Sequence, residues 1–334
     1  MKVFIKGELL MGVSKQVVLG ASMAFLALSS FNITTTATQA VANPTTNHQK
    51  QGKPTQEAAK TTLKIAFPSR ADATDMQRKA DAVAQLLSRE LKMPVEALVS
   101  DDTAAVEALR ADRVDVAFLS SRPALKAEQL ANARLYLAEV RPNYSGGYTY
   151  KSVFVVPNNS PLKSESNPKQ ALKQLQGKKI AFTSPTSGSG FIFPVGELVK
   201  QGLVPNRDRL DSFFGQVSYG DNYSGALQAV LRGQADVATV SEYALKPPHI
   251  TEAEGQQLRV LYAIPGVPAH GVAIDNDVPV AMRQNIINAM LKLNQPENNK
   301  LLKDLYNSTE LVKVDHNNHL QPIRDALSRA GIQP

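Results

Sequence analysis

Hydrophobic and polar positions alternate along this chain in a way that predicts buried strands joined by amphipathic helices. Residues 64–69 and 179–184 are short β-branched and aromatic runs that end in a serine, and each predicts a strand that leads into a helix. Further predicted strands lie at residues 152–157, 258–263 and 271–274. Further predicted helices lie at residues 279–293, 300–306 and 323–330. Strands that alternate with helices are typical of the α/β fold class.

The predicted elements occur twice in the same order. The sequence KIAFPS at residues 64–69 recurs as KIAFTS at residues 179–184, and ALRADRVDVA at residues 108–117 recurs as AVLRGQADVA at residues 229–238. In both copies an amphipathic helix ends in a short loop, and a strand with an aspartate at its start leads to a serine. The repeat predicts two α/β lobes, each a mainly parallel sheet flanked by helices.

Four serines follow predicted strands at matching places in the two copies, namely Ser69, Ser120, Ser184 and Ser241. Ligands of open α/β sheets bind beyond the carboxyl ends of the strands. Serine is also a common turn and N-cap residue, so any one of the four would carry little information alone. Because all four occupy equivalent places in a duplicated frame, the pattern favours a ligand site between the lobes.

The two lobes are not consecutive along the chain. A predicted strand leaves the first copy at residues 152–157, and the strands after the second copy lead the chain back. The terminal helices need a surface to pack on, and the first lobe is the natural host. We therefore expect residues 62–152 and 264–334 to form lobe 1 and residues 153–263 to form lobe 2, joined by a two-segment hinge.

The loop SPTSGSG at residues 184–190 carries the clearest local chemistry. It follows the predicted strand and precedes a helix that we expect at residues 191–201. Amides at a helix start lack intrahelical partners, serine hydroxyls add donors beside them, and the helix dipole favours an anion. The loop fits either a cradle for a tetrahedral oxyanion or an ordinary flexible loop with a serine N-cap. It contains neither the Gly-Lys-Ser/Thr of a P-loop nor the Gly-x-Ser-x-Gly of a nucleophile elbow.

Residues 1–42 have the order of a secretory signal, because three lysines precede an apolar run at residues 17–31 and small residues follow. Cleavage is expected near Ala40 or Ala42, and an uncleaved anchor is the alternative. Residues 43–61 are polar, contain two prolines and predict a flexible tether. We therefore expect an exported protein that resides in the periplasm.

Composition narrows the classes of function. The chain has 334 residues, 43% of them hydrophobic and 20% charged, which is typical of a folded protein of two domains. It has no cysteine, so disulfides, thiolate metal sites and cysteine nucleophiles are excluded. The net charge of +7 forms no basic stripe, so no nucleic-acid partner is expected. The histidines lack metal-ligand spacing, and His316 and His319 predict a polar surface turn.

From residue 63 to residue 293 the chain resembles the phosphonate/phosphite/phosphate-binding proteins of bacterial ABC importers. The resemblance depends on VEALRADRVDVAFL, LQGKKIAF, SPTSGSGF, ALQAVLRGQADVATV and LRVLYAIPGVP, in that order. It implies a two-lobe periplasmic binding protein (type II-like) that closes on a small oxyanion ligand, has no enzymatic activity and needs no cofactor or metal. The expected partner is an ABC permease in the inner membrane, and we expect the protein to be a monomer.

Two other functions remain open at this point. A sensory protein of the same fold would present a bound oxyanion to a membrane receptor kinase, and neighbouring genes would distinguish it from a transport protein. An exported serine hydrolase would use Ser189 and need a histidine base within hydrogen-bond reach. No histidine lies near the repeated strand ends in the sequence, so the hydrolase is the weakest of the three interpretations.

The resemblance places the oxyanion at Ser187, Gly188, Ser189 and Gly190, where family members have a Ser-Thr-Ser-Gly run at a helix start. Gly188 replaces the threonine, and Tyr223 and Ser224 replace a His-Asp pair, so the ligand is expected to differ from the family's best-known ones. Arg70 either supplies a positive charge to the site or is a solvated surface arginine. Glu242 either contacts an amine or hydroxyl group of the ligand or is a solvated acid at a helix start. The complete set of expected ligand-binding residues is Ser187, Gly188, Ser189, Gly190, Ser69, Arg70, Ser120, Ser121, Tyr223, Ser224 and Glu242.

Overall fold

Two sheets with helices against their faces make up residues 61–69 and 73–334, which are the residues that the computed structural model describes. The expected signal, nearly all of the expected tether and Arg70 lie outside the described residues. The strands are β1 (Leu63–Pro68), β2 (Val95–Ser100), β3 (Val116–Leu119), β4 (Arg134–Val140), β5 (Thr149–Pro157), β6 (Lys179–Phe182), β7 (Gln216–Tyr219), β8 (Val237–Ser241), β9 (Leu258–Pro268), β10 (Gly271–Ile274) and β11 (Glu310–Lys313).

The helices confirm most of the helical predictions. They are α1 (Ala73–Leu91), α2 (Asp102–Arg110), α3 (Ser121–Ala131), α4 (Pro168–Lys173), α5 (Phe193–Lys200), α6 (Tyr223–Leu231), α7 (Glu252–Gly255), α8 (Val280–Leu291), α9 (Asn299–Tyr306) and α10 (His316–Ala330). Shorter helical turns are a π-helix at Gly188–Ile192 and 3₁₀ turns at Arg207–Ser212, Glu242–Leu245 and Lys292–Asn294. Among the described residues, no helix has both the length and the apolar character that a membrane crossing requires.

Apart from the edge strand β11, the two sheets share one strand order, so the repeat seen in the sequence is a repeat of topology. The first sheet has the order β11-β4-β10-β3-β1-β2, and the second has the order β7-β6-β8-β5-β9. The first strand of each copy pairs in parallel with its two successors, β1 with β2 and β3, and β6 with β7 and β8. One reversed strand then follows in each sheet, β10 or β5.

Each sheet is mixed, but most of its strands run in one direction, as the sequence predicts. Strand β10 is antiparallel to β3 and β4, β5 is antiparallel to β8 and β9, and β11 is an antiparallel edge strand. Strands β5 and β10 are the ones that the chain contributes on arrival from the other lobe. A chain that crosses between the lobes enters its new sheet at the carboxyl edge, so it must run against its neighbours.

The two crossing connections run side by side. The first leads from β4 to β5, and the second leads from β9 to β10. They are joined directly, because Ala269 N donates to Tyr148 O at 3.1 Å and Glu139 N donates to His270 O at 2.9 Å. Strands β5 and β9 also pair from Tyr150 opposite Val267 to Pro157 opposite Leu258. This pair of hydrogen-bonded connections is the hinge region of the fold.

Helix α10 begins earlier than expected and packs on both lobes. Asp315 caps it by accepting a hydrogen bond from Asn318 N at 2.9 Å, and the helix continues through Pro322. His316 is buried rather than on a polar surface, because its Nδ1 accepts a hydrogen bond from Leu135 N of β4 at 2.8 Å. On the other lobe, a β-carbon at Gly196 of α5 would lie 3.0 Å from Ala326 O. The prediction of a polar turn was wrong because these contacts join residues far apart in sequence.

Candidate functional site

A cleft of about 710 Å³ opens where the strand ends of the two sheets face each other. Lobe 1 contributes Ser120 and Ser121 after β3, and lobe 2 contributes Ser187 and Gly188 after β6. A second cavity of about 320 Å³ shares Ser120 and other lining residues with the cleft and extends it. The site therefore lies at the carboxyl ends of the parallel strands, where ligands of such sheets bind.

The loop after β6 starts a helix, as expected, but its first turn is a π-helix. That turn, Gly188–Ile192, continues directly into α5. Ser187 is the N-cap, and its Oγ accepts a hydrogen bond from Gly190 N at 3.0 Å. The amides of Gly188 and Ser189 open the helix, where no intrahelical carbonyl precedes them. The helix start can therefore offer backbone amides to an anion in the cleft.

The two glycines of this loop serve different purposes. A β-carbon on Gly190 would lie 2.1 Å from Thr183 Oγ1, so a side chain has no room there. A β-carbon on Gly188 would meet nothing closer than Ser121 Oγ, at 4.0 Å, and that atom belongs to the opposite lobe. Gly190 is thus required by the packing of lobe 2, whereas Gly188 leaves space in the cleft.

Ser189 turns its side chain away from the cleft. The residue is 1% exposed, and its Oγ lies 2.8 Å from Tyr223 Oη and 2.7 Å from Ser241 Oγ. Ser241 also donates a hydrogen bond to Tyr223 Oη at 2.7 Å. Of these three residues, the one on the cleft lining is Tyr223. Ser189 and Ser241 therefore hold the Tyr223 hydroxyl in position.

A wall of four packed rings continues from that hydroxyl; we call Tyr144, Tyr150, Tyr223 and Tyr243 the tyrosine wall. Ring centroids lie 5.8 Å apart between Tyr223 and Tyr243, 5.4 Å between Tyr243 and Tyr150, and 5.0 Å between Tyr150 and Tyr144. Burial raises the pKa of Tyr150 and of Tyr243 above the ordinary value, so both keep their hydroxyl protons. Tyr144 and Tyr150 were not among the ligand-binding residues expected from the sequence, whereas Tyr243 was considered there together with Glu242.

Arg141 is a charged cleft residue that sequence reasoning missed. Its Nη2 lies 2.8 Å from Glu139 Oε1, and its side chain is 11% exposed. Its Cζ lies 5.5 Å from the ring centroid of Tyr144 and 6.0 Å from that of Tyr243. Burial acts to lower the pKa of Arg141, but the Glu139 carboxylate and the nearby phenols outweigh it, so the pKa is raised and the charge is kept. A charged residue directly after β4, at a strand end, was the available signal.

Glu139 joins several segments at the hinge region. Its Oε1 accepts a hydrogen bond from Tyr144 Oη at 3.2 Å and lies 3.3 Å from His270 Nδ1. Its Oε2 accepts a hydrogen bond from Ser308 Oγ at 2.6 Å. Glu139 is 1% exposed. Its buried negative charge is therefore shared among groups from β4, from both crossing connections and from the segment before β11.

The lobe 1 serines occupy different surroundings. Ser120 lines the cleft, and its Oγ donates to Asp102 Oδ2 at 2.6 Å. Ser121 also lines the cleft and faces Gly188. Ser69 follows β1, and its amide donates to Ser100 O at 2.6 Å, which places it in the turn beside β2 rather than on the cleft lining.

Two further predicted residues support other parts of the structure. Ser224 Oγ donates to His249 O at 2.6 Å, and the ring of His249 lines the cleft. Glu242 Oε1 accepts hydrogen bonds from Ser145 N, Ser145 Oγ and Lys151 N at 3.0, 2.8 and 3.0 Å. Glu242 therefore holds the first crossing connection against lobe 2, and its contact with a ligand stays a prediction.

The sequence matches a family described as the periplasmic substrate-binding protein of phosphonate ABC transporters, over residues 65–319. The phosphate-import protein PhnD of Mycolicibacterium smegmatis is 25% identical over 199 residues, which are 59% of this chain and 60% of that protein. The phosphonates-binding periplasmic protein of Escherichia coli is 27% identical over 204 residues, which are 60% of this chain and 55% of that protein. The match thus spans less than two thirds of either curated relative.

A solved structure extends the comparison over most of the described fold. PhnD1 from Prochlorococcus marinus, solved in complex with methylphosphonate, is 18% identical, with a TM-score of 0.63. The superposition covers 81% of this chain and 98% of that chain. At this level of identity the similarity establishes the fold, and it confirms the two-lobe architecture expected from the sequence.

Proposed function

Because the chain belongs to the family of periplasmic substrate-binding proteins of phosphonate ABC transporters, we propose that it captures a phosphorus oxyanion and delivers it to an ABC permease. The oxyanion class comprises phosphonates, phosphite and phosphate. The names of the two curated relatives, one for phosphate import and one for phosphonate binding, support import rather than the sensory alternative. The family is one of transport proteins, as the resemblance in the sequence implied.

The observation that carries this proposal is the helix start on the cleft lining. Ser187, Gly188 and Tyr223 line the cleft together, and the proposal places a tetrahedral anion against the amides of Gly188 and Ser189 and the hydroxyl groups of Ser187 and Tyr223. Hydrogen bonds to a charged acceptor each contribute about 1.5–3 kcal/mol, and the helix dipole adds to them. A few such bonds are enough to hold a small oxyanion without a metal ion.

Closure of the lobes completes the proposed site. We assign residues 62–152 and 264–334 to lobe 1 and residues 153–263 to lobe 2, with α10 of lobe 1 also packed on α5. Ser121 of lobe 1 lies opposite Gly188, so hinge closure would place its hydroxyl against an oxyanion held at the helix start. Ser120 supplies a second lobe 1 hydroxyl nearby.

We propose further that the protein is exported, has no catalytic activity and is a monomer. The signal is removed near Ala40 or Ala42, and residues 43–61 tether the folded part. No nucleic acid takes part. The side-chain partners of Ser189 are the hydroxyl groups of Tyr223, Ser241 and Tyr150, and a hydroxyl group is not the kind of base that a serine nucleophile uses. These features favour binding over hydrolysis.

Thermal-shift screening of the protein that starts at Asn43 tests the proposal. The compounds are phosphate, phosphite, methylphosphonate, 2-aminoethylphosphonate, a phosphate ester and sulfate. A true ligand at a hundred times its Kd should stabilise the fold by about 2.7 kcal/mol. We expect at least one phosphorus compound to do so and sulfate to do far less. Stabilisation by none of the phosphorus compounds would overturn the proposal.

A further inference from the structure

The cleft contains a cation at some distance from the helix start. Arg141 contacts the ring of Tyr243 with its Cζ 6.0 Å from the centroid, and Tyr243 in turn packs on Tyr223 at 5.8 Å. Tyr223 is the residue whose hydroxyl meets Ser189 of the loop. The ring of Tyr243 therefore separates Arg141 from Tyr223, which lies beside the proposed oxyanion position. Both positions lie along the tyrosine wall of the same cleft.

The charge of Arg141 is only partly used by its neighbours. Glu139 Oε1 also accepts a hydrogen bond from Tyr144 Oη and lies near His270 Nδ1, and Oε2 accepts a hydrogen bond from Ser308 Oγ. The carboxylate of Glu139 is therefore not available to the guanidinium of Arg141 alone. Within the described part of the chain, no group accepts a hydrogen bond from Arg141 Nε, which is buried. Ring faces attract a guanidinium but accept no directed hydrogen bond of ordinary strength. A guanidinium has five N–H donors, and this one has few acceptors.

The rest of the cleft is also more basic than acidic. The charged side chains on the lining are Lys79, Arg122, Arg141, Lys303, Asp102 and Asp304. Asp304 is paired with Lys300 and Lys79 is paired with Asp75, both outside the cleft lining, so Arg122, Arg141 and Lys303 remain against Asp102. Across the wall, burial and then the charge of Arg141 lower the pKa of His249, which indicates that the field of Arg141 extends into the cleft. This charge balance disfavours a ligand with a cationic tail.

We infer that the ligand carries a second acidic group, a carboxylate or a second phosphoryl group, and that Arg141 binds it while the helix start binds the first. This inference depends on the proposed function and specifies its substrate class. The tail of the ligand lies along the tyrosine wall between the two anion positions. Arginine matches a carboxylate or phosphoryl group with two parallel hydrogen bonds, which gives both affinity and orientation.

Calorimetric titration with three matched phosphonates tests the inference. 3-Phosphonopropionate, n-propylphosphonate and 2-aminoethylphosphonate have tails of equal length that end in a carboxylate, a methyl group and an ammonium group. We expect the carboxylate compound to bind about tenfold to a hundredfold more tightly than the propyl compound. The aminoethyl compound should bind most weakly, because an ammonium group meets Arg141.

Variants at Arg141 then locate the effect. Arg141→Lys keeps the charge but loses the two-pronged geometry, so it should remove most of the preference for the carboxylate compound and leave propylphosphonate affinity within about threefold. Removing the charge alone would leave Glu139 buried and uncompensated and endanger folding. The double variant Glu139→Gln/Arg141→Gln removes both charges together and should abolish the preference.

The outcomes separate this inference from the function on which it depends. Equal affinity of the wild-type protein for 3-phosphonopropionate and n-propylphosphonate would overturn the inference alone. An equal loss of affinity for both compounds in the Arg141→Lys and double variants would also overturn it, because Arg141 would then act on the whole site. If none of the three compounds binds, the inference fails, whereas the proposed function fails only if phosphate and phosphite do not bind either.

Discussion

Gly188 and Ser121 face each other across the cleft, so closely that a β-carbon added to Gly188 would lie 4.0 Å from Ser121 Oγ. One residue opens the helix of lobe 2 and the other begins α3 of lobe 1. Small groups on both sides leave room for an anion at the position where both a helix start and a serine hydroxyl can reach it. In the proposed site, this pair is therefore a place at which groups from both lobes would contact the same anion.

The two glycines of the loop should respond differently to alanine. Gly190→Ala forces a β-carbon to within 2.1 Å of Thr183 Oγ1, so the free energy of unfolding should fall by about 1–3 kcal/mol. Gly188→Ala serves as the matched variant. It should retain the wild-type stability and weaken oxyanion binding, because the new methyl group enters the space opposite Ser121. Urea denaturation and calorimetric titration measure the two effects, and equal stability of the two variants would contradict the assignment.

Ser189 and Tyr223 should act as one unit in ligand binding. Ser189→Ala removes a bond that holds the Tyr223 hydroxyl, so affinity for the oxyanion should fall about tenfold to a hundredfold. Tyr223→Phe should cause a similar loss, and the double variant should lose much less than the two losses combined. Ser218→Ala removes a hydroxyl bonded to Ile180 O, away from the cleft lining, and is the control. Fully additive losses would show that Ser189 contacts the ligand independently of Tyr223.

Variants of Glu242 show whether this residue contacts the ligand or holds the hinge region together. Glu242→Ala removes the acceptor for Ser145 N and Lys151 N, so the free energy of unfolding should fall by about 1.5–3 kcal/mol. Glu242→Gln keeps an oxygen at the same place and should cost less. Chemical denaturation measures both variants. If both variants unfold like the wild-type protein but lose affinity for 2-aminoethylphosphonate, Glu242 contacts the ligand as the sequence analysis expected.

The buried histidines of α10 should make the fold less stable in mild acid. Burial lowers the pKa of His316 and of His319 below the ordinary value of 6.5, although Glu128 partly opposes the effect at His316. The unfolded chain takes up these protons below about pH 6.5, whereas the folded chain takes them up only at lower pH. Stability that is present above pH 6.5 is therefore lost as the pH falls through this range.

Denaturation at a series of pH values between 7.5 and 5 measures this loss. His319→Gln keeps a donor toward Ala269 O but does not titrate, so its stability should depend less steeply on pH than that of the wild-type protein. The slope is the quantity compared, because the substitution also changes the overall stability. Identical slopes in the two proteins would show that His319 does not contribute.

Local patterns were sufficient for the elements and for the loop. The strands at both copies of KIAF, the helices α8 and α9, and the presence of a helix after the loop at residues 184–190 depend on periodicity, capping and chain order within a few residues. These properties depend on residues that are close together in the sequence, so they can be predicted without knowledge of the fold. The duplicated order also predicted two lobes with a cleft at the strand ends.

Contacts between distant residues determined the rest. The crossing of the chain reverses β5 and β10, and the inward turn of Ser189 depends on Ser241, 52 positions further along. Arg141 reaches the tyrosine wall because Tyr243 packs there from the other lobe. Neighbouring residues in the sequence do not determine where a side chain points when its partners lie in another lobe. That orientation depends on which groups become buried and charged around it in the folded protein. The sequence could therefore identify the loop that starts the proposed site, whereas the contacts of Arg141 with the tyrosine wall became visible only in three dimensions.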